Sequence, residues 1–303
     1  MNFFASKEQA LASGAPFFHS FTLAHLFYLM FCAAMIAVVM RSMKGRSQQT
    51  RDKVLRYLCL LLPVSQALRI AWEVYAGIFT WQYSMPFQVC SSMSWIALFY
   101  FITKNTKFLD YIYIVGCSVG TAALLFANLN GNYPSFYYYT WQYFFHHTLF
   151  VLIGLFHVFV CGRRPQIRTA WFTAAILAVL VSFDMALNQV INTLLHLPRV
   201  SPTSANYGWL SFGAPGTPLG TIEKIFGTRF YFVGEFLAAI IVFGLMYVPF
   251  IVGDRRRRRQ TVGGDPTGAA DAIDVIDATD RPEPTPERVL AFAGTDADRG
   301  SGR

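Results

Sequence analysis

Charged residues are scarce in this sequence, and their scarcity excludes an ordinary soluble domain. Only 14% of the 303 residues are Asp, Glu, Lys or Arg, against about 25% in a typical soluble protein. Hydrophobic residues make up 54% of the chain and aromatic residues 17%. This composition predicts a protein that places most of its surface in lipid.

Cysteine is also sparse, and the usual signatures of metal and cofactor sites are missing. The five cysteines are an odd number scattered along the chain, which does not predict a disulfide framework. There is no HExxH or CxxC pattern and no glycine-rich phosphate loop, so we predict neither a metal site nor a soluble cofactor. The first apolar run is full length and lacks a small-residue cleavage site, so we expect no separate signal peptide.

Long apolar runs are what the sequence has instead. A bilayer core about 30 Å thick needs roughly 20 apolar residues per helix. Seven stretches meet this length, the third being the shortest: residues 17–40, 54–77, 86–103, 108–128, 140–161, 168–192 and 230–252. We therefore predict an all-α polytopic membrane protein whose seven-helix transmembrane domain spans residues 1–252.

Basic residues predict the orientation of these spans. The segments after the first, third, fifth and seventh spans hold 16 of them, and the opposite side holds 4. By the positive-inside rule the N-terminus lies outside and the C-terminus in the cytoplasm, in a multi-pass protein of the cell membrane. The five arginines 255–259 then anchor the last span on anionic lipid and do not indicate a nucleic-acid partner. The composition of residues 253–303 predicts a disordered cytoplasmic tail.

Several ionisable residues interrupt the apolar spans, where each such group is costly and needs an explanation. Counting inward from the outer ends of the spans places seven of them about 6–12 Å below the outer boundary, with Asn188 nearby: His25, Arg69, Glu73, Cys90, His147, Asp184 and Glu235. Arg69 and Glu73 are four residues apart, which allows an ion pair on one helix face. We expect no comparable layer in the inner half. Because six spans contribute, a polar cavity open to the outer leaflet is favoured over polar groups that only join helices.

Cys90 is the one cysteine within this layer. It follows Pro86, which suits a helix start with Ser84 as a candidate cap, and a thiol in the first turns of a helix near a histidine readily forms thiolate. A Cys with a spatially adjacent His, such as His147, can transfer acyl groups. His146 is the alternative base, since neighbouring helix positions point about 100° apart. A buried histidine is also often a hydrogen-bonded core residue.

Four short motifs carry a family resemblance: MPFQVCS at 85–91, TKN at 103–105, NYPSF at 132–136 and QYFFHH at 142–147. In order, spacing and placement they resemble the YwaF-type bacterial integral membrane proteins, which belong with the eukaryotic transmembrane protein 164 family, over about residues 25–250. The resemblance implies a membrane acyltransferase that moves fatty acyl groups between glycerophospholipids. It implies catalysis by a Cys and a His that match Cys90 and His147, with phospholipid or lysophospholipid substrates.

The residues leave the function open between two classes. In an acyltransferase, Arg69 would bind a phosphate or the acyl carbonyl, and Glu73 or Asp184 would orient the histidine. A transporter or receptor would use the same polar layer to bind a small solute or relay protons. The acyl acceptor is also open among a lysophospholipid, a lipoprotein amine and water.

Overall fold

The computed structural model describes residues 3–5, 7–12, 14–127, 129, 133–198, 201 and 203–262. Over these residues the chain is helical without a strand, apart from an isolated bridge between Phe17 and Pro134. Residues 1–250 form one compact unit. Of the predicted disordered tail, residues 253–303, the part from residue 263 onward lies outside the described residues, as does Asn132 of the NYPSF motif. For residues 253–262 the prediction of disorder is wrong, because they are part of helix α9. The helices are α1 Lys7–Ala12, α2 Leu23–Ser42, α3 Gln48–Tyr75, α4 Val89–Thr103, α5 Lys107–Tyr111, α6 Cys117–Leu125, α7 Tyr138–Leu155, α8 Ala170–Leu194 and α9 Pro218–Val262.

Two of these helices continue through π-helical turns. Ile112–Gly116 joins α5 to α6, and Phe156–Val160 extends α7. With these turns included, six helices of the described chain are long and apolar enough to cross a membrane: Leu23–Ser42, Gln48–Tyr75, Lys107–Leu125, Tyr138–Val160, Ile167–Leu194 and Pro218–Gly253. The remaining predicted span corresponds to α4, which has only 15 residues. The prediction of an all-helical, multi-pass membrane protein is confirmed.

The first predicted span begins at the wrong residue. Its helix starts at Leu23, six residues late, because Phe21 has a left-handed φ of 64° and Phe18 N donates a 2.8 Å hydrogen bond to the carbonyl of Tyr133. The last helix starts at Pro218 but is broken at Gly227, whose φ of 71° and ψ of 158° are not helical. The part after this break begins within a few residues of the predicted start at residue 230.

Helix α7 with its π turn is the most buried of the six long apolar helices: 72% of its 18-residue apolar stretch lies inside the protein, against 6% of the corresponding stretch of Pro218–Gly253. Glycine lets α6 approach it closely: a Cβ at Gly154 would lie 2.5 Å from Cys117 Sγ. On another side of α7, Tyr28 of α2 stacks on Phe144 with ring centroids 4.4 Å apart. Small residues and stacked aromatic rings of this kind allow tight helix packing in lipid. The histidine pair of α7 is therefore held in the interior.

Candidate functional site

The site begins at the start of α4, where Cys90 is the second residue of the helix. The predicted cap by Ser84 is wrong, because Ser84 Oγ accepts a 2.9 Å hydrogen bond from Thr80 N and the residue that precedes the helix is Gln88. All five cysteines lie among the described residues, and Cys90 alone is partly exposed while the other four are buried. The cysteine predicted to lie in the polar layer is thus also the least buried of the five.

A loop at residues 203–212, here named the covering loop, packs over the start of α4. The hydroxyl of Tyr207 donates to the carbonyl of Trp81 at 2.6 Å and accepts from Met85 N at 3.1 Å. Gln88 Oε1, two residues before Cys90, accepts from the main-chain N–H of Gly208 at 3.0 Å. The covering loop therefore holds the approach to α4 from both sides of Pro86.

Asparagines of α8 hold the covering loop in turn. Asn188 donates to the carbonyl of Tyr207 at 2.9 Å and accepts from its N–H at 2.7 Å. Asn192 makes the same pair of bonds with Ala205, at 3.2 and 2.7 Å. The side chain of Asn188 is thus used by the main chain of the loop.

The predicted ion pair between Arg69 and Glu73 is confirmed. Arg69 Nη1 donates to Glu73 Oε1, and both side chains are buried. Arg69 Nη2 also donates to the carbonyl of Ser84 at 2.8 Å, and the amide oxygen of Gln66 accepts from the same guanidinium. Most donors of Arg69 are therefore used within the protein, where they tie α3 to the segment before α4.

The two histidines of α7 differ in their hydrogen bonds. His147 Nδ1 lies 2.7 Å from the carbonyl of Tyr143, which can only accept, so Nδ1 carries the proton and Nε2 keeps its lone pair. His146 Nδ1 lies 3.3 Å from Ser65 Oγ, and its imidazole lies near the main chain of Cys90. In the described part of the chain no hydrogen bond joins Cys90 Sγ to either imidazole. His146 is therefore the histidine with a described interaction with Cys90, whereas His147 has the form of a general base.

Two tyrosine hydroxyls lie near the remaining members of the layer. Cys90 and Asp184 both lie within electrostatic range of the Tyr111 hydroxyl, and Arg69, Glu73 and Asp184 lie within range of the Tyr207 hydroxyl. Asp184 is buried, and its Oδ1 has no hydrogen-bond partner among the described residues. Neither Glu73 nor Asp184 hydrogen-bonds a histidine in that part of the chain. Tyr111 and Tyr207 were missed, because nothing marks two tyrosines among the 15 of this sequence.

His25 and Glu235 are not brought into this cluster by any described contact. His25 Nδ1 accepts from Phe21 N at 2.9 Å, and its Nε2 bonds the carbonyl of Leu124 at 2.8 Å. Both ring nitrogens therefore serve the main chain and join α2 to the end of α6. Glu235 lies on α9 beside Tyr231, and its Oε2 is buried without a hydrogen-bond partner among the described residues.

A second polar cluster lies at the opposite end of the helices. His157 Nε2 is 3.0 Å from Asp110 Oδ1, and Thr169 Oγ1 donates to Asp110 Oδ2 at 3.0 Å. Asp110 precedes one π turn and His157 lies in the other. Asp110 and His157 are 47 positions apart and meet across two helices, a pair that the sequence analysis did not predict.

The fold and these buried polar groups define a multi-pass helical membrane protein whose interior contains a partly exposed thiol and two inequivalent histidines. Within the described residues no group of three or more His, Cys, Asp or Glu side chains is arranged to bind a metal. The model of the TMEM164 family matches residues 18–247. The chain belongs to that family, as its motifs indicate. No curated protein and no solved structure matches it.

Proposed function

We propose that this protein is a membrane acyltransferase that moves fatty acyl groups between glycerophospholipids through a thioester on Cys90, with His147 as the general base. In this proposal the helix α4 is the third of seven spans in the cell membrane. The N-terminus lies outside, the C-terminus is cytoplasmic, and the site opens toward the outer leaflet. Family membership supports a membrane role, and the chemistry rests on the residues themselves.

The observation that carries the proposal is a partly exposed cysteine at the start of α4 together with a histidine of α7 that keeps an unprotonated ring nitrogen. Cys90 lies in the first turn of α4, where the positive end of the helix dipole favours a thiolate. His147 holds its Nδ1 proton on the carbonyl of Tyr143, so Nε2 can accept a proton from the thiol. Catalytic hydrogen bonds are often long before substrate binds, so the absence of a direct bond between the two is compatible with this role.

The reaction consists of two acyl transfers. His147 Nε2 takes the proton of the Cys90 thiol, and the thiolate forms a bond to the carbonyl carbon of a donor ester. The ester C–O bond breaks, and the proton on His147 passes to the departing lysolipid oxygen. The hydroxyl of an acceptor lysophospholipid then gives its proton to His147 and attacks the thioester. The C–S bond breaks, and the released Cys90 thiolate takes the proton back.

The buried ion pair of Arg69 and Glu73 supports the site indirectly. Arg69 is hydrogen-bonded to Glu73 and to the carbonyl of Ser84, so its role is to hold the segment before α4. Few N–H groups of Arg69 are left to bind the phosphate of a substrate. The histidine is likewise oriented by the carbonyl of Tyr143 and not by Glu73 or Asp184.

The test is to look for the thioester. Protein purified into phospholipid nanodiscs that carry a labelled acyl chain should gain the mass of that chain on the Cys90 peptide, and hydroxylamine should remove it. Cys90→Ala and Cys90→Ser should show neither the adduct nor transfer to lysophospholipid. Cys161→Ala, a matched change of a buried cysteine, should behave as wild type. Full acyl transfer by Cys90→Ala protein would refute the proposal.

The second candidate is a transporter or receptor, favoured by the buried Asp184 oxygen that lacks a partner among the described residues. Such a group could bind a small solute or a proton. This function predicts that Cys90→Ala is tolerated and that Asp184→Asn stops the flux of solute or protons into sealed vesicles. The acyltransferase function predicts instead that Cys90→Ala abolishes activity.

A further inference from the structure

The amide of Gln142 can be oriented from its surroundings. Its Nε2 lies 3.4 Å from the main-chain carbonyl of Ser65 and 3.3 Å from Ser65 Oγ. A carbonyl oxygen only accepts hydrogen bonds, so the amide nitrogen and not the amide oxygen must face Ser65. Gln142 therefore donates toward the Ser65 hydroxyl.

The Ser65 hydroxyl then determines the protonation of His146. Ser65 is buried, and its Oγ has two described partners, Gln142 Nε2 and His146 Nδ1, the latter at 3.3 Å. Gln142 Nε2 is a donor, so it cannot accept the hydroxyl hydrogen of Ser65. That hydrogen forms a hydrogen bond only if Oγ donates it to His146 Nδ1. Nδ1 is thus an acceptor, and the proton of the neutral imidazole is on Nε2.

This Nε2–H group is buried and has no hydrogen-bond partner among the described residues. The imidazole is 4% exposed and lies near the main chain of Cys90, but without the distance and angle of a full hydrogen bond to it. A buried donor without an acceptor is unfavourable, and native proteins rarely retain one without a reason. Since Nδ1 is occupied by Ser65, Nε2 is the nitrogen left to meet a substrate oxygen bound at Cys90.

We propose that His146 is a second catalytic histidine, whose Nε2–H donates a hydrogen bond to the acyl carbonyl oxygen, with Ser65 and Gln142 as positioning residues. This inference rests on the proposed acyltransferase function. When the Cys90 thiolate adds to the ester carbonyl carbon, the electron pair of the C=O bond moves to oxygen. The Nε2–H bond stabilises that oxyanion without transferring its proton, and the pair returns to form C=O when the leaving oxygen departs.

His146 and His147 therefore have different roles, which different substitutions distinguish. His146→Leu should lower the rate of thioester formation about 10²–10³-fold, the range for loss of one oxyanion donor, with KM changed little. His146→Gln retains a side-chain N–H and should recover a large part of that rate. Ser65→Ala should give an intermediate loss, because either nitrogen of His146 can then carry the proton.

Alkylation of Cys90 by iodoacetamide supplies the readout that separates a donor from a base. Alkylation forms no oxyanion, so its pH profile should be the same in wild type and His146→Leu. His147→Leu should shift that profile, because it removes the group that accepts the thiol proton. Thermal melting checks that each variant folds. If His146→Leu melts at a lower temperature than wild type, the rate of thioester formation is compared between His146→Gln and wild type instead.

The outcomes distinguish this inference from the function on which it rests. Wild type that forms no thioester refutes both. Wild type that forms the thioester while His146→Leu keeps its rate refutes the donor role alone. A shift of the alkylation profile in His146→Leu equal to that in His147→Leu would make His146 the base. Failure of a well-folded His146→Gln to exceed His146→Leu would also overturn the donor role.

Discussion

Removal of Arg69 should destabilise the protein far more than removal of an exposed arginine. In Arg69→Ala the Glu73 carboxylate, which is 4% exposed, stays in the interior without its cation. Breaking one side of a buried pair costs about 3–5 kcal/mol, because the partner charge is stranded. The carbonyl of Ser84 also loses its donor, so the upper part of that range is expected.

Arg163 provides the matched control, since it pairs with Asp52 at 3.0 Å but both side chains are about one-third exposed. An exposed pair is worth at most about 1 kcal/mol. The free energy of unfolding, measured by titrating sodium dodecyl sulfate into detergent micelles, should therefore fall much less in Arg163→Ala. The double variant of Arg69 and Glu73 should lose less than the sum of the single changes, by about 0.5–3 kcal/mol.

Two results would refute this reasoning. Equal losses in Arg69→Ala and Arg163→Ala would mean that burial does not govern the cost. Additive losses in the double variant would mean that Arg69 and Glu73 do not interact in the folded protein, contrary to the geometry of the pair.

Three further predictions concern topology, accessibility and the covering loop. A reporter enzyme fused after Arg259 should be active only in its cytoplasmic form, and one inserted near Tyr207 only in its external form; activity on the same side would refute the seven-span proposal. A membrane-impermeant thiol reagent added from outside should label Cys90 before the four buried cysteines, and preferential labelling of another cysteine would contradict the outward opening. Asn188→Leu removes both bonds to Tyr207 and should increase proteolysis within the covering loop, whereas Gln189→Leu, which changes an exposed residue of the same helix, should not.

Residues whose interactions are local could be predicted from the sequence. The ion pair of Arg69 and Glu73 follows from their spacing of four residues on one helix, and the structure contains it. Apolar length located six helices that can span a membrane. Cys90 was placed in the first turns of a helix because proline is favoured at helix starts, and it lies there.

Interactions between distant segments could not be predicted in this way. Asn188 was expected among the polar groups of a cavity, but it hydrogen-bonds the main chain of Tyr207 in the covering loop. The path of this loop depends on Gln88 and Trp81, which are more than 100 positions earlier in the sequence. The difference between His146 and His147 likewise depends on single hydrogen-bonding partners, Ser65 Oγ and the carbonyl of Tyr143. Depth along a span predicts which residues share a level but does not predict which of them touch.

Burial of polar groups is therefore not sufficient to identify the site. Asp110 is a buried carboxylate like Asp184, but each of its oxygens has a hydrogen-bonding partner, His157 Nε2 or Thr169 Oγ1. Asp184 has an oxygen without a described partner, and His146 Nε2 also lacks one. His157 Nδ1, in the cluster at Asp110, is likewise buried without a described partner, so unsatisfied groups, although unfavourable in lipid, occur in both clusters. What separates the site at α4 is therefore Cys90, the partly exposed cysteine whose main chain the His146 imidazole approaches, and this makes it the place to test for chemistry.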